Sequence, residues 1–279
     1  DQCQTFQDHS ERADHFVGVA GTFNSGTNLM AEYLIQNCHM EDRMAKFGAK
    51  SKGVRWQVPW GKHNPPGSEE FRKNHKTQKD ANVDAGDILP AVTVRDPYVW
   101  MNSMCQHEYA AHWHHNPHEH CPNLIPNEAD LKQWAREKWD PQKQVGWLVR
   151  DEPIPVHVQY GNGVGNWKHH PQGLVGMWND WYREYWNEQS FPRLIVRYED
   201  LLFHPEVVTK SVCECAGGTL FQEEFKYILD SAKKGPTAHG PMELRIGYLK
   251  ALIRYGKRQT NPKLTPQDLQ YAADTLDPE

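Results

Sequence analysis

The chain has 279 residues, a formal net charge of -5 and a pI near 6.4, with 38% apolar and 24% charged residues. That length can bury a substantial core, and the acidic balance argues against a general nucleic-acid binder. No apolar run approaches the roughly 18 to 20 residues of a membrane-crossing helix.

Residues 1 to 15 are polar and read as an arm. Phe16-Val17-Gly18-Val19-Ala20-Gly21 is an apolar run that predicts a strand. After it come Asn24-Ser25-Gly26-Thr27-Asn28-Leu29, then Leu29, Met30, Tyr33, Leu34 and Cys38 at helical spacing. A strand, a tight Gly-containing turn and a helix aim backbone N–H groups and the positive end of the helix at one point, a geometry suited to phosphate or sulfate. The spacing Gly21-x4-Gly26 is that of a nucleotide P-loop, but Thr27 and Asn28 stand where an NTPase carries Lys and Ser or Thr. This disfavours a P-loop kinase, which is kept as an alternative.

Between residues 43 and 79 lie ten basic residues, from Arg43 to Lys79, against Glu69 and Glu70 alone. This is either a solvated basic face or the footprint of an anionic cofactor or polyanionic acceptor. Gly53 to Trp60 alternates loosely and predicts a second strand, stopped by Gly61-Lys62-His63-Asn64-Pro65-Pro66. Lys62 and His63 then sit at a strand end, where open α/β sheets bind ligands. Residues 68 to 82 read as surface helix, and Ile88 to Val94 as a buried strand leading into Arg95. Asp96-Pro97 predicts a helix start, Asp96 as N-cap, running past Ser103 towards Tyr109.

His107, His112, His114, His115, His118 and His120 crowd the next stretch. Their irregular spacing lacks a pattern such as His-Glu-x-x-His, so a solvent-facing insertion or acceptor-site rim is preferred to a metal site. Residues 106 to 172 read as an acceptor-side insertion within a single domain, 1 to 279, with a helix near Glu128 to Trp139 and a loop over Gly161 to Gly165. Leu174 to Asn187 is predicted helical, its aromatic stripe packing on the sheet rather than stacking on ligand. Arg193 to Tyr198 predicts another buried strand, with Glu199 to Leu202 turning into a loop at His204-Pro205. Helices are expected over 206 to 216 and 220 to 232, and a capped helix from Thr265-Pro266.

Of the six cysteines, Cys105 and Cys121 could close a short loop, whereas Cys213 and Cys215 are too near each other for an easy mutual bridge. The start at Asp1 suggests a removed leader, and the end at Glu279 suggests that the native chain continues. With no Asn-x-Ser/Thr acceptor to add, these features tilt the setting only slightly towards the secretory or Golgi lumen over the cytoplasm.

Three stretches together resemble the sulfotransferases that use 3′-phosphoadenosine 5′-phosphosulfate (PAPS). They are Thr22 to Leu29, Val94-Arg95-Asp96-Pro97 with Ser103, and Val196-Arg197-Tyr198-Glu199-Asp200-Leu201-Leu202 with His204-Pro205. The resemblance covers about residues 16 to 38, 88 to 105 and 174 to 210 and implies an α/β, three-layer P-loop-like fold with a central parallel sheet flanked by helices. It implies that Asn24, Ser25, Gly26, Thr27 and Asn28 hold the 5′-phosphosulfate, that Arg95 and Ser103 hold the 3′-phosphate, and that Tyr198 lies near the cofactor. Gly61-Lys62-His63-Asn64-Pro65 is similar to the Lys-x-His-x-Pro strand end that carries the family's base, except that Lys and His are adjacent here. His63 is therefore the expected base and Lys62 the expected charge stabiliser, with His75, Glu69 and Glu70 as competing bases and no metal required.

The sequence departs from the family at Asn24, where a Lys or Arg is usual. The basic residues expected around the 3′-phosphate near the C-terminus are matched only loosely, by Lys233-Lys234-Gly235 or by Lys257 and Arg258 after Gly256. The implied activity is sulfuryl transfer from PAPS, leaving PAP, to a hydroxyl or amine. Trp56, Trp60 and Trp113 suggest a carbohydrate acceptor first and a small molecule second. A non-catalytic PAP-binding protein of the same fold is the other alternative.

Overall fold

The apolar run at Phe16–Gly21 forms β1, buried on both faces, at the heart of a parallel sheet. A computed structural model describes residues 1–116, 118–134, 148–161, 167–221, 224–228, 252–253, 255 and 264–278. They form an α/β protein with a central four-stranded parallel sheet, order β3-β1-β4-β8, flanked by helices. Here β3 is Val54–Arg55, β4 is Ile88–Val94 and β8 is Leu194–Arg197. β1 pairs with β4 from Phe16↔Ile88 to Gly21↔Thr93, so both strands end side by side. Near-continuous burial of β1 and β4 suits inner strands covered on both faces, whereas β8, expected to be buried, is an edge strand with only Val196 buried and Ile195 exposed.

Alternate residues Val17 and Val19, Leu89 and Ala91, and Val196 share one core cluster with Met30 and Leu34 of α2 (Thr27–Asn37) and Val212 of α9 (Pro205–Cys215). Full burial of side chains such as Leu34 contributes roughly 1.5–3 kcal/mol each. The first fifteen residues are no loose arm. They hold α1 (Gln2–Gln7) and a short 3-10 turn, with Phe6 fully buried in that core and Cys3 bonded to Cys215. Cys38 bonds to Cys213, so the two cysteines that cannot reach each other each tie a distant segment to α9.

Several expected boundaries shift. The strand predicted over Gly53 to Trp60 keeps only Val54–Arg55 in the ladder, because the chain bends at Trp56-Gln57 and Pro59 has no N–H to donate. Val58 nonetheless donates to the Val19 carbonyl, and Gly21 donates to the Lys62 carbonyl at 2.8 Å, so the segment still follows β1. The basic region carries α3 (Glu41–Phe47) and, in place of one longer helix over 68 to 82, α4 (Glu69–Asn74) and a 3-10 turn at Gln78–Asp80. Tyr198–Phe203 forms α8 where a turn into loop was expected. The helix expected over 220 to 232 is absent from its described residues: Thr219–Leu220 is β9, antiparallel to β2 (Cys38–His39), and 224 to 228 are irregular.

The chain divides into two compact units, Asp1–Arg95 with Asn187–Gln259, and Asp96–Trp186 with Thr260–Glu279. The second unit begins with α5 (Pro97–Gln106), capped by the Asp96 side chain on the Val99 N–H, and ending three residues before Tyr109. Cys105 and Cys121 are joined. The unit also holds a three-stranded antiparallel sheet of β5 (Ala111–His112), β6 (Val156–Gln159) and β7 (Trp167–His170). α6 spans Glu128–Trp134, and the remainder of that predicted helix, like most of the Gly161 to Gly165 loop, lies outside the described residues. In α7 (Gly173–Asn187), Trp181, Tyr182 and Tyr185 are buried, with Trp181 4.8 Å from Tyr185 between centroids; this part of the stripe is packing surface, whereas Trp186 is exposed.

The histidine-rich stretch is largely built into this unit. Trp113 is buried, donates to the Pro122 carbonyl and stacks on His115. His120 is buried between two carboxylates, Nδ1 to Asp130 and Nε2 to Asp268, each at 2.8 Å. Asp268 also accepts from the Leu124 and Ile125 N–H groups and completes the capping box of α10 (Pro266–Thr275) with Thr265. Burial opposes a charge on His120, but Asp268 and Asp130 outweigh it and raise its pKa above the ordinary 6.5. A raised histidine contributes stability that is fully present below its unfolded pKa and lost as pH rises through the folded value. Wild type is therefore expected to lead His120→Gln in thermal midpoint most strongly below about pH 6.5, and the lead to shrink on the alkaline side. A pH-independent difference between the two melting series would contradict this.

Candidate functional site

The loop between β1 and α2 is held open by its own backbone. Asn24 has φ 60° and Gly26 φ 93°, both left-handed. Asparagine tolerates this region and glycine adopts it without cost. Ser25 is fully buried; its hydroxyl donates to the Thr22 carbonyl at 2.8 Å and meets Thr93 Oγ1 at 2.9 Å. Its side chain thus fastens the loop to β4, and its own N–H turns back on the Thr22 carbonyl at 3.4 Å.

Gly26 is the N-cap of α2, and no side chain caps this helix. The first intrahelical bond from the helix start is Met30 N–H to the Gly26 carbonyl, so the N–H groups of Thr27, Asn28 and Leu29 come before it. Those donors and the helix dipole make the turn an anion site in principle. Tyr198, the first residue of α8, backs the turn so closely that a Cβ on Gly26 would lie 2.2 Å from its ring.

Two cations flank this turn. Arg95, one residue past β4, donates through Nη1 to the Asn24 carbonyl at 2.8 Å and through Nε to the Tyr255 hydroxyl at 2.6 Å. Its guanidinium sits 4.9 Å from the Tyr198 ring centroid. Lys62 donates to the Asn28 side-chain oxygen and lies 4.7 Å from the Trp56 ring centroid. His63 lies against Phe23, 4.7 Å between centroids, with Nδ1 2.9 Å from the Gly21 carbonyl. A carbonyl can only accept, so Nδ1 carries the proton and, in the neutral ring, Nε2 carries the lone pair.

One strand end thus gathers Asn24 to Asn28, Lys62, His63, Arg95 and Tyr198. Tyr255 joins them unforeseen: burial pushes its hydroxyl pKa up, keeping it neutral, and its place two residues before Lys257 was the only hint in the sequence. Ser103 belongs to the second unit, where its hydroxyl donates to the Val99 carbonyl. Lys257 and Arg258, and the alternative Lys233-Lys234-Gly235, lie outside the described residues.

The other candidates fare differently. Glu69 is exposed and paired with Lys73 along α4, Glu70 is exposed, and His75 is stacked on Phe71 with Nδ1 at its carbonyl. Of the tryptophans proposed as sugar platforms, Trp60 and Trp113 are buried in their units, which removes them as surfaces; Trp56 is 37% exposed. Among the described residues no group of three or more His, Cys, Asp or Glu side chains is placed to hold a metal ion, and no helix is long and apolar enough to cross a membrane. No model of a known family matches the chain, and neither the curated proteins nor the solved structures contain a match to it.

Proposed function

We propose that this chain is a PAPS-dependent sulfotransferase with a P-loop-like fold, acting on a hydroxyl or amine of a carbohydrate or, second, a small molecule. The observation that carries the reading is the pairing of Arg95 and Lys62 on either side of the uncapped start of α2. It supports an anion richer in charge than a single phosphate, and Thr27 and Asn28 leave the turn without the Lys and hydroxyl of an ATP site. Arg95 is assigned to the 3′-phosphate, and the backbone of the turn, with the N–H groups of Thr27 and Asn28, to the 5′-phosphosulfate. Three disulfides support a secretory-lumen setting.

In this reading the acceptor oxygen forms a bond to sulfur as the bond from sulfur to the phosphate oxygen breaks. His63 Nε2 takes the acceptor proton, and Lys62 meets the charge that develops on the bridging oxygen. Lys62 also answers for Asn24, which supplies no cation: its ammonium reaches the same turn from the neighbouring segment. Asn24 equally favours a second reading, a PAP-binding protein without transfer, because its carbonyl is turned to Arg95.

Incubation with sulfur-labelled PAPS and a panel of glycans and small hydroxyl compounds tests the first reading. Labelled product with equimolar PAP supports it; PAP binding with no transfer across the panel supports the second. Arg95→Ala is expected to weaken PAP binding by roughly 10- to 150-fold, the worth of a charged hydrogen bond. Calorimetry on the folded variant checks this, and an unchanged Kd would remove Arg95 from the site.

A further inference from the structure

The basic stretch between residues 43 and 79 does not behave as one face. Lys46 pairs with Glu11 and Asp14, buried Arg72 with Glu188, Lys73 with Glu69, and Lys62 faces the loop. Five of the others, Arg43, Lys50, Lys52, Arg55 and Lys79, converge on a cleft of about 430 Å³ whose lining contains no carboxylate. Phe16 and Val54 give it an apolar wall, and Ser51 and Asn82 add neutral polar groups.

Those two wall residues begin β1 and β3, so the cleft opens at the opposite end of the parallel strands from the loop after Gly21. Five residue steps along β1 separate the two ends by about 16 Å. The cleft is therefore a different site from the one flanked by Arg95 and Lys62.

Among the described residues, three of the five charges there, the lysines, are uncompensated. Arg55 is held by Asp80, which Thr77 also engages. Lys50, Lys52 and Lys79 are exposed and, among the described residues, have no carboxylate partner; Lys52 lies over the Phe221 ring. Arg43 is the telling member. Its guanidinium stacks 3.6 Å from the Phe16 ring centroid and donates through Nη1 to the Ala13 carbonyl, while its Nε is buried without a hydrogen-bond partner. A buried donor of a charged group left unmet is costly, so Arg43 is incompletely satisfied where it stands, with Asp14 and Asp87 acting on it only through space.

We propose that this cleft is a second anion-binding site, for a compact molecule carrying several sulfate or phosphate esters. With Arg55 held by Asp80, Arg43, Lys50, Lys52 and Lys79 remain, of which one monoester would offset at most two, and the volume falls within the range of small-ligand sites. Sulfated saccharides and phosphorylated polyols share this chemistry. The site does not depend on the sulfotransferase reading.

Titration calorimetry of the intact protein at about 0.15 M salt with sucrose octasulfate and with inositol hexakisphosphate tests it. One-to-one binding is expected for at least one probe, and the tighter one identifies the source as sulfated sugar or phosphorylated polyol. The double variant Lys50→Gln/Lys79→Gln changes only exposed side chains and is expected to weaken that binding about tenfold or more. Arg43→Gln, with its thermal midpoint checked, is expected to weaken it as well. Absence of binding by both probes would overturn the proposal. So would binding that Lys62→Gln weakens and the cleft pair leaves unchanged, since the probe would then occupy the loop site.

Discussion

His63→Gln is expected to lower the rate of sulfate transfer by about 10²- to 10⁴-fold, the usual contribution of a positioned general base, while PAP affinity stays nearly constant. The Gly21 carbonyl fixes the imidazole tautomer from one side, so Nε2 is the atom that can take a proton. Glutamine keeps an N–H for that carbonyl but has no basic nitrogen. The loss should fall on kcat, because the proton moves only in the transition state. Undiminished transfer would hand the role to another group, Glu69, Glu70 or His75 being the remaining sequence candidates. A parallel loss of PAP affinity would mean that the ring serves the loop rather than the chemistry.

Gly26→Ala is expected to destabilise the protein by about 2–5 kcal/mol and to abolish PAP binding in whatever remains folded. Two costs combine. A Cβ at φ 93° carries roughly 1–2 kcal/mol of strain. Overpacking adds about 1–3 kcal/mol, since that Cβ would lie 2.2 Å from the Tyr198 ring, whose Cδ2, Cε2 and Cγ all stand in its way. The obstruction is the body of the ring and not a flexible tip. Adding Tyr198→Ala should return only the packing share, because the backbone strain stays. Because Tyr198→Ala also loses the ring's contacts with Arg95 and Tyr255, chemical denaturation of both single variants and the double variant separates the terms, and a loss below about 1 kcal/mol for Gly26→Ala would refute the geometry of the turn.

The features legible in the sequence were those written locally. β1, β4 and β8 are short apolar runs bounded by breakers, and the caps at Asp96-Pro97 and Thr265-Pro266 declare themselves within four residues. The Cys105–Cys121 bridge spans 16 residues and could be guessed, whereas Cys3–Cys215 and Cys38–Cys213 span 212 and 175 and depend on the finished fold. The Cys3–Cys215 bridge also ties the polar N-terminal arm, as a helix, to α9.

Aromatic residues misled for a related reason. Trp56 and Trp60 stand four apart in one segment, yet only Trp56 is exposed, while Trp60 points into the core beside Phe191. Pattern alone gave no means of ranking them once the strand bent. Around the site, Asn24 to Asn28, Lys62, His63 and Arg95 could be named beforehand, because a strand end followed by a turn is a local signal; Tyr198 was named only through the resemblance. Tyr255 could not be, since its partner Arg95 lies 160 residues away.

The central claim is that the turn at Asn24 to Asn28 receives PAPS and not ATP. Calorimetric titration of the intact protein with PAP, and separately with Mg-ATP, tests it most directly. The account predicts saturable one-to-one binding of PAP, weakened by Arg95→Ala, and much weaker binding of Mg-ATP. Tight Mg-ATP binding with no heat from PAP would contradict it.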